Sequence, residues 1–150
     1  MLKDTQQQQV YDSETFFQHE YDYELTSVDE IVEYVSKTIC IKQVRKKFRH
    51  IFNETIQCRI KQKNAIYSDA DGEGIQIAPD SVTIITVLHE LAHCLQFRDN
   101  AHKDIKRFAG HDSTFTSIYL FLVRFAIGVL AHKTLKEEFE TRGVEFVDLI

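Results

Sequence analysis

Apolar residues recur along this chain with two periods, one helical and one alternating, and together they lay out an α+β protein. After a polar opening that contains the run Gln6 to Gln9, the first apolar anchors are Val10, Tyr11, Phe16 and Phe17. Order is therefore expected from about residue 10, with 1–9 flexible. Ser27 and Glu30 make an S-x-x-E capping box ahead of Ile31, Val32 and Val35, which predicts a helix from Val28 over 28–37. A second helical stretch is expected over 41–52. In 55–61 (TIQCRIK) apolar and polar residues alternate, with Ile56, Cys58 and Ile60 on one side, the signature of a half-buried strand. A further strand is expected over 65–68, then turn chemistry over 69–74. Ile75, Gln76 and Ile77 form a short strand stopped by Pro79, read as a guarded sheet edge.

The second half reads as helical. Asp80 or Ser81 caps a helix over 81–98, with Val82, Ile85, Leu88, Ala92 and Leu95 at helical spacing on its buried face. A polar connection (99–109) leads to a helix starting at His111 or Asp112 and running to 127. A last helix over 133–142 ends at Gly143, and 144–147 is a candidate tail strand. No linker or repeat interrupts the pattern, and 150 residues suit one domain, 1–150, with one core.

Composition narrows this picture in a few places. One proline and five glycines exclude a fibrous or loop-dominated chain. Three cysteines at 40, 58 and 94, odd in number and without a CxxC, fit a reducing compartment rather than a disulfide scaffold. The longest apolar run, 118–131, is shorter than the roughly 18 residues of a membrane span and contains Arg124. The polar start is unlike a signal peptide, so a cytoplasmic location and no membrane partner are expected. A net charge of −5 gives no overall attraction to nucleic acid. The basic stretch 42–49 (KQVRKKFR) is read first as a solvated helix face and only second as an anion contact.

The chemistry concentrates in His89-Glu90-Leu91-Ala92-His93. Residues four apart share a helix face, so two imidazoles there can reach one Zn²⁺ at about 2.0–2.1 Å. Glu90 follows the first ligand and can address a metal-bound water as general base, then carry its proton to the leaving group. The surrounding Val87, Leu88, Leu91, Ala92, Cys94 and Leu95 are uncharged, so the carboxylate is expected to be buried, which is costly without a partner. A catalytic zinc commonly has three protein ligands. Candidates for the third are His111, preferred because it precedes an apolar helix, then Asp99, then Glu137, Glu138 or Glu140. Asp99 has the metzincin spacing but lacks the glycine turn, Gln96 standing in that place. His102 is read as a surface histidine. Ile75, Gln76 and Ile77 are candidates for binding substrate as an added strand. Tyr119 and Tyr67 are candidates to stabilise transition-state charge, weighed against ordinary core or rim positions.

Three stretches also carry a family resemblance. Residues 9–14 (QVYDSE) resemble a Val-Tyr-x-x-Glu element. Residues 77–93, from Ile77-Ala78-Pro79 through the HELAH helix, resemble a strand and metal helix. His111-x-x-x-Phe115-x-x-x-Tyr119 resembles a third segment. In these the chain resembles a family of short zinc metallohydrolases of actinobacteria and their phages and, more distantly, the SprT-like zincins. The resemblance covers most of the chain, loosely over 36–74. It implies a minimal zincin-like α+β fold, with a small sheet packed on the HExxH helix and helices at the C-terminus. It also implies His89, His93 and His111 as ligands of one Zn²⁺ and Glu90 as acid/base. Family members often have glycine after the third histidine; here Asp112 follows, a helix N-cap or an acceptor behind a ligand imidazole. The functional expectation is a zinc-dependent metallopeptidase acting on a peptide or protein. The alternatives are a non-peptidase zinc hydrolase and a non-catalytic zinc-binding regulatory module.

Overall fold

The computed structural model describes residues 3–51 and 55–150. It is an α+β fold with, among those residues, six α-helices and one three-stranded mixed sheet. The helices are α1 (Gln7–Tyr21), α2 (Val28–Cys40), α3 (Lys42–Lys47), α4 (Ile84–His102), α5 (Ser113–Ala126) and α6 (Val129–Thr141). The strands are β1 (Gln57–Ile60), β2 (Asp69–Ala70) and β3 (Gly74–Ile77). Arg49–Ile51 forms one 3₁₀ turn after α3, and the expected end of that helical stretch, Phe52, lies outside the described residues.

The long helix α4 is the centre of the molecule. It packs against α5 on one side and the sheet on the other. Ile85, Leu88, Ala92 and Leu95 are buried as the spacing requires. So are Val87, Leu91 and Cys94, because a helix between two layers has no solvent face. Its N-cap is Thr83, whose hydroxyl accepts from the Thr86 amide, rather than Asp80 or Ser81. The chain first makes a turn after Pro79 (Ser81 N–H to Ala78 carbonyl, 3.0 Å). Asp22, arriving from the end of α1, accepts the Ile85 amide at 3.0 Å, placing a carboxylate at the positive end of the helix. At the other end α4 runs past 98 through Asp99 and Asn100, both buried, so the polar connection is shorter than expected.

The start of α2 follows the capping reading with one change. Ser27 accepts the Glu30 amide, and the Glu30 carboxylate reaches back to the Thr26 amide, one residue earlier than in a capping box. The basic side chains of α3 lie on its exposed face while Val44 and Phe48 are buried, an amphipathic helix end.

The sheet corrects two expectations. Its order is β1-β3-β2, with β3 parallel to β1 and antiparallel to β2. Ile75, Gln76 and Ile77 therefore form the central strand rather than an edge, paired on both sides. Gly74 permits this: a side chain there would collide with the Gln57 backbone. The second strand is Asp69–Ala70, not 65–68. Ile66 and Tyr67 stand exposed in a connection pinned where the Lys61 ammonium meets the Tyr67 carbonyl and Asp69.

Both chain ends also differ from the sequence reading. Helix α1 begins at Gln7, and Gln6 is buried. Its amide donates to the carbonyls of His111 (2.6 Å) and Glu145 (3.2 Å) and accepts the Glu145 amide (2.9 Å). The segment before α1 is thus anchored through Asp4 and Gln6; Met1 and Leu2 lie outside the described residues. The tail 144–147 forms no strand among the described residues; side chains of Gln6, Thr116 and Ser117 bind backbone groups of Glu145 and Val147 instead. Helix α6 starts at Val129, four residues earlier than expected, after a break at Gly128 with φ +146°. Cys40, Cys58 and Cys94 are all free thiols. Among the described residues no helix is long and apolar enough to cross a membrane.

Candidate metal centre

Helix α4 presents His89 and His93 on one face, and the loop before α5 brings His111 to them. The His111 Nε2 lies 3.3 Å from the Nε2 of His89 and 3.3 Å from that of His93. The arrangement is set by what stands behind each ring. The Nδ1 of His89 faces the Glu14 carboxylate at 2.9 Å, that of His93 the Gln96 Oε1 at 3.0 Å, and that of His111 the Asp4 carboxylate at 2.7 Å. Ionised carboxylates only accept, so Nδ1 donates in the first and third pairs. The Gln96 side-chain nitrogen donates to the Ala109 carbonyl and the Asp112 carboxylate. Its oxygen is thereby the atom turned to His93, and Nδ1 donates there too. Nδ1 is thus the donor in each of these pairs, and three Nε2 atoms face one point. Nε2 atoms so placed are satisfied by a proton shared between two of them or by a metal ion among all three, and the group could hold such an ion.

Electrostatics favour the neutral ligand form at two of the three histidines. Burial, reinforced by neighbouring imidazoles, holds His93 well below the usual histidine range. Burial also lowers His111 despite Asp4. Both are thereby neutral, the ligand form. At His89 burial pulls the same way, but the charge and hydrogen bond of Glu14 outweigh it and raise its proton affinity. Glu90 is 5% exposed. Burial, with Glu14 adding repulsion against the pull of His89, raises its pKa to about 7. One carboxylate oxygen lies 3.9 Å from the His89 Nε2, and the other is buried with no hydrogen-bond partner. A buried acceptor left open beside three convergent Nε2 atoms is the second observation that fits a ligand-holding centre.

Aromatic rings wall the group in. Phe115, four residues after His111, stacks on His93 (centroids 4.0 Å apart, 20° between planes). Tyr11 lies over His89 at 5.9 Å and edge-on to His111 at 5.2 Å. A cleft crosses the centre in two lobes that meet at Tyr11, Ser68 and Glu90. The larger, about 750 Å³, runs along α1 and includes Tyr67 and Thr86. The smaller, about 240 Å³, reaches past His93 to Phe97 and Phe108.

The other sequence candidates divide. Tyr119 is fully buried, and its hydroxyl donates to Glu14 at 2.8 Å. It supports the carboxylate behind His89 and is withdrawn from transition-state chemistry. Tyr67 lines the larger lobe and is 75% exposed. Ile75 to Ile77, inside the sheet, have no free backbone edge to offer a substrate. Asp99 is not with the group: it pairs with His50 (3.0 Å) and Lys103 (2.9 Å), because six further residues along a helix carry it round and away from His93. Glu137 and Glu138 lie on α6 beside Lys133 and Arg142, and the exposed Glu140 is on the same helix. Asp112 serves in two ways, capping α5 at the Thr114 and Phe115 amides and accepting from the Gln96 amide that orients His93.

Four residues of the centre were given no role from the sequence: Asp4 and Gln96, and Tyr11 and Glu14, which the Val-Tyr-x-x-Glu element marked without assigning them a function. Glu14 left a trace. Val10, Ser13, Glu14 and Phe17 form the buried stripe of α1, and an acid within such a stripe needs a partner. Asp4 left none, because nothing local ties residue 4 to residue 111. No protein-family model, curated protein or solved structure matches this chain.

Proposed function

We propose that this chain is a zinc-dependent hydrolase that cleaves peptide bonds. The observation that carries the reading is the set of three Nδ1-anchored imidazoles whose Nε2 atoms converge beside a buried glutamate with an open oxygen. Zinc is favoured by the donor set and by spacing. Two nitrogens at about 2.0–2.1 Å from a tetrahedral ion are about 3.3 Å apart, and the two Nε2 pairs measured lie at 3.3 Å.

Zinc, when bound by His89, His93 and His111, supplies Lewis acidity to a substrate carbonyl and to water. Glu90 then acts as the proton carrier. Its carboxylate takes the proton of the attacking water and returns it to the departing amine. Its buried oxygen without a hydrogen-bond partner is free to take that proton. Tyr11 takes the part expected of Tyr119. Its hydroxyl accepts from the Gln7 amide at 3.2 Å, which leaves its proton free to donate toward developing negative charge. Burial raises its pKa and keeps that proton in place. A peptide rather than a compact molecule is favoured because two lobes, of about 750 Å³ and 240 Å³, join at Tyr11, Ser68 and Glu90, which is room for several residues of a chain.

The test is Glu90→Gln. The variant is expected to bind zinc with wild-type stoichiometry and to lose peptide hydrolysis by about 10²–10⁴-fold. Hydrolysis at the wild-type rate overturns the mechanism. A wild-type chain that takes up no zinc, and is not stabilised by it, overturns the function. Cleavage of small amides with no cleavage of any peptide moves the activity to the non-peptidase alternative.

A further inference from the structure

We infer that the smaller lobe of the cleft is a side-chain pocket that selects an apolar residue flanking the scissile bond; this rests on the peptidase reading of the same centre. The two lobes differ in chemistry as well as size. The larger is lined along α1 by Asp4, Thr5, Gln7, Gln8 and Gln18 and suits a solvated stretch of chain. The smaller is lined beyond the ligands by Phe97, Phe108, Ala70 and Gly110. Phe97 and Phe108 meet edge to face, with ring centroids 5.1 Å apart. They come from α4 and from the loop before His111, so the floor is built by the same two segments that supply His93 and His111.

Apart from Glu90 and Tyr11, which belong to the centre, the polar side chains of this lobe are engaged, Ser68 accepting the Ala78 amide. Gln96 is bonded to His93, the Ala109 carbonyl and Asp112. Asp69 is paired with Lys61. Neither is left to hold a charged side chain, so the lobe rewards burial of apolar surface. Its size suits one group at most: the whole lobe is about 240 Å³, the space over the centre included, and a cavity of about 150 Å³ holds a benzene molecule. The substrate class is then a peptide with a single apolar residue beside the cut and a polar segment on the other side.

The pocket can be measured apart from catalysis. Zinc-loaded wild type, Ala70→Leu and Phe108→Ala, each checked for its fold by circular dichroism, are titrated with acetohydroxamate and with hydroxamates carrying isobutyl and benzyl groups. In wild type a side-chain-bearing member is expected to bind at least about tenfold tighter than acetohydroxamate. Ala70→Leu is expected to erase most of that gain by filling the lobe. Phe108→Ala lowers it for isobutyl and spares benzyl. Affinity that does not vary with the side chain, absence of binding by every member included, overturns the pocket. Profiling with randomised peptides separates the two readings. No cleavage together with hydroxamate discrimination removes the peptidase and keeps the pocket; cleavage with no apolar preference beside the cut removes the pocket.

Discussion

Helix α4 carries histidine and carboxylate at both ends, and the two groups behave differently. Near its start His89 and His93 meet His111 with every Nε2 turned inward. At its far end His102 meets His50, with ring centroids 4.7 Å apart, close to the same acid, Asp99. There the His50 Nε2 is committed to Asp99. Asp99 is shared with Lys103. Although burial works against its ionisation, His50 and Lys103 hold its carboxyl below the usual range. His50 and His102 are both exposed. Residue types alone do not distinguish these groups. What separates them is the outer partner. Glu14, Gln96 and Asp4 bind the Nδ1 atoms and so free the Nε2 atoms, whereas Asp99 binds the His50 Nε2 itself while pairing with Lys103.

The comparison breaks most easily at the ligands. His93→Ala or His111→Ala is expected to weaken zinc binding by about a hundredfold or more, since about 10–16 kcal/mol of structural zinc affinity is divided among a few ligands. His50→Ala and His102→Ala should leave it within about twofold. Equal losses at the two ends of α4, measured by competition with a chromophoric chelator, would mean that the outer partners do not decide the matter.

A smaller effect concerns Glu90 in the metal-free protein. Its folded-state pKa of about 7 lies above the ordinary 4.5, so the folded chain holds this proton more tightly than the unfolded one. The contribution to stability is therefore present below pH 4.5 and is lost as pH rises toward 7. At about 1.4 kcal/mol per pH unit, Glu90→Gln should stabilise the metal-free chain at pH 8 by up to about 3 kcal/mol. At pH 4.5 the gain should have largely closed, as thermal melts at the two pH values would show. A stability difference that does not change with pH contradicts the buried, strained acid.

Next come the outer partners. Glu14→Gln and Asp4→Asn keep the shape of the side chain and remove its charge, and each is expected to cost about tenfold to a hundredfold in zinc affinity. The loss at Glu14 carries a pH signature. Glu14 raises the proton affinity of His89 above its ordinary 6.5, so protons compete with zinc in wild type from above that value, and the competition should retreat to lower pH in Glu14→Gln. The smallest effect is at Tyr11. Tyr11→Phe should lower kcat by about tenfold, with KM and zinc content little changed, if its hydroxyl meets the transition state; an equal loss in KM alone would place it in substrate binding.

Much of this architecture was legible residue by residue. The spacing of Ile85, Leu88, Ala92 and Leu95 marked α4, the Ser27 cap marked α2, and Asp112 marked α5, because caps and helical periods act between neighbours within a turn or two. Misreadings cluster where a partner is distant. Residues 3–9 looked unanchored because Gln6 and Asp4 find their partners more than a hundred residues away, at His111 and Glu145. Ile75 to Ile77 looked like an edge because strand order depends on how 61–73 crosses back, which alternation along β3 does not encode. Tyr119 shares a face with His111 as its spacing implies, but only the position of α1 decides that its hydroxyl meets Glu14.

By itself the sequence determined the helical character of α2, α4 and α5, the His89–Glu90–His93 face and the expectation of His111 as its complement, since i to i+4 geometry is a property of any helix; it did not determine the helix α1. Tertiary structure alone decided which nitrogen each histidine turns inward. That choice belongs to Glu14, Gln96 and Asp4, three acceptors from the first helix, the metal helix and the N-terminal segment, and it arises only when those segments pack around a common point. The candidate centre at the start of α4 differs from the ion pair at its end for that physical reason: a lone pair points where its ring's other nitrogen is not bonded.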